Sequence, residues 1–204
     1  MRSVVFTCLA LAFAAVTANA QSVSTDAKQA PTGRYSLDKG HSQVLFAIGH
    51  EGLTDYYGRF DKLSGTLNFD SAEPEKSAVS VTIEMNSVDT PSHELNGTLS
   101  GKAVFDAQDF PTATFRSTSV VRTGPTTGKI IGDLTIKNIT KPVTLDVTFN
   151  GGRPDPMSGS YVIGLGATTS IKRTDFGITG MVWEPFVGND VKLIIEAMFQ
   201  QQKE

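Results

Sequence analysis

Val143-Thr144-Leu145-Asp146-Val147-Thr148-Phe149 alternates apolar and polar residues without a fault, as does Val79-Ser80-Val81-Thr82-Ile83-Glu84-Met85. A period of two sends successive side chains to opposite faces, the pattern of a half-buried strand. The same alternation recurs on either side of these stretches. Val44, Phe46 and Ile48 share one face of the run from Gln43 to Ile48, and Leu134 and Ile136 face away from Asp133, Thr135 and Lys137. Near the C-terminus Val191, Leu193, Ile195, Ala197 and Phe199 alternate, although Ile194 and Met198 make the other face apolar too. β-Branched residues and Thr are abundant, as strands prefer.

Turn signals separate the runs: Asp38-Lys39-Gly40, Gly65, Thr123-Gly124-Pro125, Gly151-Gly152 and Pro154-Asp155-Pro156. The one convincing helical interval runs from Ser92, a capping residue, to Gly101, a stop. Eight to ten strands with short loops and one short helix point to an antiparallel barrel or sandwich, an all-β class. Strand length favours the barrel, since ten residues at about 3.3 Å each make a wall about 33 Å long.

The N-terminus reads as an address. A positive Arg2 precedes an uncharged apolar run from Val4 to Thr17, and Ala18-Asn19-Ala20 sets small residues before Gln21. This is the layout of a cleavable secretory signal over residues 1–20, cut between Ala20 and Gln21, and it predicts an exported protein. The single Cys, Cys8, falls inside that segment, with Val5 and Thr7 where a lipoprotein signal would want Leu and a small residue. The exported chain then has no cysteine, and 17 basic against 21 acidic residues give a net charge of −4. Residues 21–33 are small and polar and read as a flexible leader, followed by one domain over 34–204.

Composition narrows the function. The 204-residue chain is 39% hydrophobic and 19% charged, with a net charge of −3 and no basic run, so nucleic acid is a poor partner. The three histidines, His41, His50 and His93, form no HExxH motif, and neither a GxSxG elbow nor a dinucleotide fingerprint is present. No catalytic residue and no metal site are assigned. His50 shares parity with Val44, Phe46 and Ile48, while His41 lies in the turn before that strand. Each is read either as a structural histidine at a barrel rim or as a contact for a ligand head group. Arg173 and Asp175 share parity too, and either pair with each other or meet the ligand. The apolar faces, represented by Phe46, Ile48, Phe69, Val81, Ile83, Phe115, Leu134, Ile136, Leu145, Val147 and Ile163, either fill the barrel or line a cavity.

A series of short motifs in a fixed order adds to this reading. Tyr35-Ser36-Leu37-Asp38 leads into His41-Ser42-Gln43-Val44-Leu45-Phe46 and His50; Gly58-Arg59-Phe60 and Ser64-Gly65-Thr66-Leu67 follow. Next come Ser87-Val88-Asp89-Thr90, Phe105-Asp106, Phe110-Pro111 and Thr114 to Thr118. Gly132-Asp133-Leu134-Thr135-Ile136, Thr140-Lys141-Pro142-Val143 and Arg173-Thr174-Asp175-Phe176-Gly177 close the series. Over nearly all of residues 34–200 the chain resembles the YceI family of bacterial periplasmic proteins. It departs at Ser92 to Asn96, where the family often has Arg-Asp and His-Leu, and at Val104-Phe105, where paired aromatics are usual.

The resemblance implies an extended eight-stranded antiparallel lipocalin-like barrel holding a long isoprenoid, a quinone or polyprenyl chain. The expected function is a non-catalytic carrier. The eleven apolar residues would grip the tail, and His41, His50, Arg173 or Asp175 would meet the head group at a rim. No cofactor is expected beyond this isoprenoid or quinone-like ligand, and transient membrane contact and homodimerisation stay open. The rivals are a structural or stress-response barrel with a filled core, and an enzyme using a histidine base on a hydrophobic substrate.

Overall fold

The computed structural model describes residues 22–203. The expected signal segment, with Cys8 and the expected Ala20–Gln21 cleavage point, lies outside the described residues. Eleven strands follow in chain order: β1 (Gly33–Leu37), β2 (Gln43–His50), β3 (Thr54–Phe60), β4 (Leu63–Phe69), β5 (Ala78–Glu84), β6 (Val88–Asp89), β7 (Thr112–Arg122), β8 (Thr127–Ile136), β9 (Ile139–Pro154), β10 (Tyr161–Lys172) and β11 (Val187–Gln201). One helix, α1 (His93–Ser100), lies between β6 and β7.

All pairings are antiparallel, and the sheet closes through β1 and β11. Eight strand positions run around the resulting barrel. The first three are each shared by two strands: β1 with β2 along β11, β4 with β3 along that pair, and β5 with β6 beyond. β7 to β11 supply the other five, unbroken and longer.

The interruptions are chemically satisfied. Between β1 and β2, Leu37 pairs with Phe199 and Gln43 with Glu196, so the first chain loops outward by several residues. Within that loop the Ser42 hydroxyl accepts from Met198 N at 3.0 Å and the Asp38 N–H donates to Met198 O at 2.8 Å. At the other two interruptions Asp61 N donates to Ser87 O and Lys62 N to the Ser87 hydroxyl. These bonds give partners to backbone groups that the interrupted ladder does not pair.

Two expected turns are strand instead. Gly65 sits inside β4 opposite Val81, because the inward parity of Leu63, Leu67 and Phe69 runs straight through it. Gly151-Gly152 lies inside β9, where the ladder with β10 slips by one residue between Gly164 and Leu165. Gly151 adopts φ +126°, a conformation glycine takes readily, and this absorbs the bulge without ending the strand.

The stretch read as a leader touches the barrel. Ser24 and Gly152 exchange backbone hydrogen bonds at 2.9 and 2.8 Å, Ala30 is buried, and Pro31 O accepts from the Tyr35 hydroxyl at 2.6 Å. At this end large side chains meet across the interior. Tyr35, Ile163 and Phe199 are at most 1% exposed, and Phe69 stacks on Phe149 while meeting Tyr35 edge-on. Burial pushes the Tyr35 hydroxyl up to about 12, with neighbouring Tyr161 adding to the shift.

Candidate functional site

At the opposite end, inward-facing residues do not meet. They enclose a cavity of about 290 Å³ bounded by 24 residues, of which only His50, Tyr56, Arg173 and Trp183 carry a side-chain nitrogen or oxygen. Val44, Phe46, Ile48 and His50 come from one face of β2, Tyr56 and Phe60 from β3, Val191 and Leu193 from β11, and Leu134 and Ile136 from β8. Phe60 bridges Phe46 and Phe105, with ring centroids 5.9 and 5.6 Å apart. The Phe46 ring reaches over Gly58, where a Cβ would stand 2.3 Å from its Cζ, so this glycine makes room for the aromatic wall.

One side of the cavity has no strand. β6 ends at Asp89 and β7 begins at Thr112, and the segment between them supplies Leu95, Leu99, Val104 and Phe105. Polar contacts hold it in place. The Ser92 hydroxyl caps α1 by accepting from Leu95 N, and Asn96 accepts from Thr90 N and the Thr90 hydroxyl at 2.8 and 2.7 Å while donating to Asp89.

The loop over residues 176–188 covers the mouth, contributing Phe176, Ile178, Trp183, Phe186 and Val187. Arg173, 6% exposed, ties it down. Its Nε donates to Gly188 O at 3.0 Å, and its Nη1 donates to Ile178 O at 2.7 Å and Glu184 Oε1 at 3.0 Å. Glu184 also accepts from Gly180 N. The Arg173 hydrogen bond, aided by that N–H, holds the Glu184 carboxyl below its ordinary range.

The expected site residues separate into groups. Phe46, Ile48, Ile83, Leu134 and Ile136 line this cavity; Phe69 and Val147 line a smaller one of about 110 Å³ toward the other end. Val81, Phe115, Leu145 and Ile163 pack in the interior core. Among the polar candidates His50 and Arg173 reach the 290 Å³ cavity. His41 does not: its side chain is 70% exposed in the outward loop, 3.0 Å from Asp38. Asp175 is exposed, and the expected Arg173–Asp175 pair is replaced by Arg173–Glu184. Strand parity ends at Lys172, and Arg173–Phe176 form a 3-10 turn, so residues 173 and 175 no longer share a face.

Several lining residues carried no period-two signal. Leu95, Leu99, Val104, Phe105, Trp183 and Phe186 sit on a helix or irregular loops. Tyr56 and Phe60 did carry one, since Tyr56, Gly58 and Phe60 alternate along β3. Chemically the arrangement is an apolar container with two cationic or titratable groups near its mouth. Among the described residues no cluster of His, Cys, Asp and Glu has metal-holding geometry.

Comparison with known proteins accords with this geometry. A family model described as the YceI-like domain matches residues 35–199. Similar proteins described as UPF0312 include one from Pseudomonas savastanoi, 38% identical over 156 residues, covering 76% of this chain and 81% of its own length. Another, from Ectopseudomonas mendocina, is 42% identical over 153 residues, covering 74% and 80%. BcnA of Burkholderia cenocepacia superposes with a TM-score of 0.72 at 26% identity, over 79% of this chain and 98% of that one. The YCEI protein of Campylobacter jejuni gives 0.67 at 28%, over 74% and 88%. A polyisoprenoid binding domain from Saccharophagus degradans shares the fold, with a TM-score of 0.61 at 17% identity over 82% of this chain and 98% of its own. The matched region runs from the buried Tyr35 to the buried Phe199 and spans the whole closed barrel, so the chain belongs to the YceI-like family.

Proposed function

We propose that this protein binds a long-chain isoprenoid or related lipid, of quinone or polyprenyl type, inside the barrel and carries it in the periplasm. One observation carries the reading: the 290 Å³ cavity has 24 lining residues, and 20 of them offer no side-chain nitrogen or oxygen. Such a lining gains about 0.8 kcal/mol per methylene taken from water and selects against polar substrates. The gain nearly vanishes when the tail leaves a bilayer, which is what reversible exchange requires. His50 and Arg173 stand where a tail would end in a polar head. The structure described as a polyisoprenoid binding domain supports the ligand class, and the apolar leader ending at Ala20 supports export. The filled-core rival is disfavoured by the cavity itself.

The test is native mass spectrometry and lipid extraction on protein purified from its own host, followed by titration with a prenyl quinone and a polyprenol. Bound lipid of one of these classes is expected. Ile48→Trp, which puts bulk into the cavity, is expected to weaken uptake at least about tenfold, or 1.4 kcal/mol. A barrel that emerges empty and refuses both ligands overturns the proposal.

A further inference from the structure

The cavity mouth presents apolar side chains to solvent. Leu53 is 81% exposed, Val182 95% and Phe186 54%. They belong to two hydrogen-bonded segments: Glu51 N, in the β2–β3 turn, donates to Phe186 O at 2.7 Å. Glu51 and Gly52 both take positive φ, a tight turn that leaves Leu53 standing out at its end. Across residues 176–188 the only charged residue is Glu184, and it is turned onto the buried Arg173. A segment of this length without free charge is unusual in a chain that is 19% charged.

We propose that this lip, built on Leu53, Val182 and Phe186, is the surface by which the protein docks on a lipid membrane. The inference rests on the carrier reading and names where its cargo is exchanged. Phe186 is both a cavity wall and an exposed lip residue, so the apolar interior is continuous with the apolar exterior. A lipid passing along it stays out of water if the lip is seated in a bilayer. Loop tips fit that partner better than a second copy of the chain, because three side chains fall far short of the roughly 800 Å² each partner buries in a stable complex. The attraction is apolar, so neutral lipid suffices and salt matters little.

Trp183, the single tryptophan of the chain, sits in this segment and reports on it directly. The experiment mixes the exported form of the protein with phosphatidylcholine vesicles and reads Trp183 fluorescence and cosedimentation. Quinone uptake is titrated separately, without vesicles. Wild type is expected to cosediment with a blue shift that high salt does not remove. Leu53→Ser with Val182→Ser, both outside the cavity lining, is expected to lose at least about tenfold in vesicle partition while quinone affinity and melting hold. Wild type that binds quinone but ignores vesicles overturns the lip and leaves the carrier reading standing. Vesicle binding by a barrel that takes up neither quinone nor polyprenol overturns the carrier reading instead. Retention of vesicle binding by the double variant overturns the lip, as does a concentration-dependent dimer abolished by the same substitutions while vesicles stay unbound.

Discussion

The two ends of the barrel use the same alternating strands, yet one is packed around Tyr35, Ile163 and Phe199 and the other holds the apolar 290 Å³ cavity. At the packed end β1 is clasped between β4 and β11, and large aromatics meet across the interior. At the hollow end a two-residue β6 leaves part of the wall to α1 and the segment after it, and a loop pinned by Arg173 roofs the space. Alternation decides which way a side chain points. Whether inward side chains meet depends on what spaces the wall, and irregular segments do that here.

The sharpest way to break this contrast is to truncate one phenylalanine at each end. Phe199→Ala removes a fully buried ring from a packed layer and is expected to cost about 3–5 kcal/mol in urea unfolding, with ligand affinity unchanged once folded. Phe46→Ala borders space that is already empty, so its loss of packing is smaller, about 1–2 kcal/mol, while ligand affinity falls. Equal stability costs would show that the cavity end is as tightly packed as the other.

The same contrast explains what the sequence made legible. All eleven residues chosen by parity sit inside the barrel, the helix runs between Ser92 and Gly101, and the eight-position barrel closes as the family motifs implied. Parity could not divide those residues between a packed core and a cavity, because Ile163 and Ile48 look alike in the chain. It also failed past Lys172, where a 3-10 turn replaces the strand and sends Arg173 to Glu184. His41 lies in a loop that bulges outward, where period-two parity says nothing about the direction of a side chain.

The roof of the cavity offers a second, smaller test. Arg173→Met leaves a buried carbonyl acceptor, Ile178 O, and a half-buried one, Gly188 O, without their donor, and is expected to cost about 2–3 kcal/mol. The latch also sets a pH dependence. Folding lowers the Glu184 carboxyl below its ordinary value of 4.5, so its stabilisation is fully present above that pH. It is lost as pH falls through the lower, folded value, because the folded state then takes up the proton. Melting curves are expected to drop below pH 4.5, and less so in Glu184→Gln. Hydrogen exchange over residues 176–188 should quicken under the same conditions while the Tyr35 end stays protected. Simultaneous loosening of both ends would mean that the roof is not a separate unit.

The smallest effect is expected at α1, the part of the wall with no strand. Ser92 caps its first turn, and Asn96 anchors it through Thr90 and Asp89. Ser92→Ala removes one acceptor from the helix N-terminus, a loss of about 1 kcal/mol. The helix has eight residues, too few to persist without its cap and its packing of Leu95 and Leu99 on the cavity. Global melting should therefore shift little, because β7 to β11 do not depend on α1. Amide exchange within residues 93–100 should rise, and ligand off-rates should rise with it, since this side of the container would open more often. A ligand that leaves at the wild-type rate from a frayed α1 would assign release to the roofed mouth alone, making the helix a fixed wall and the loop over residues 176–188 the single gate.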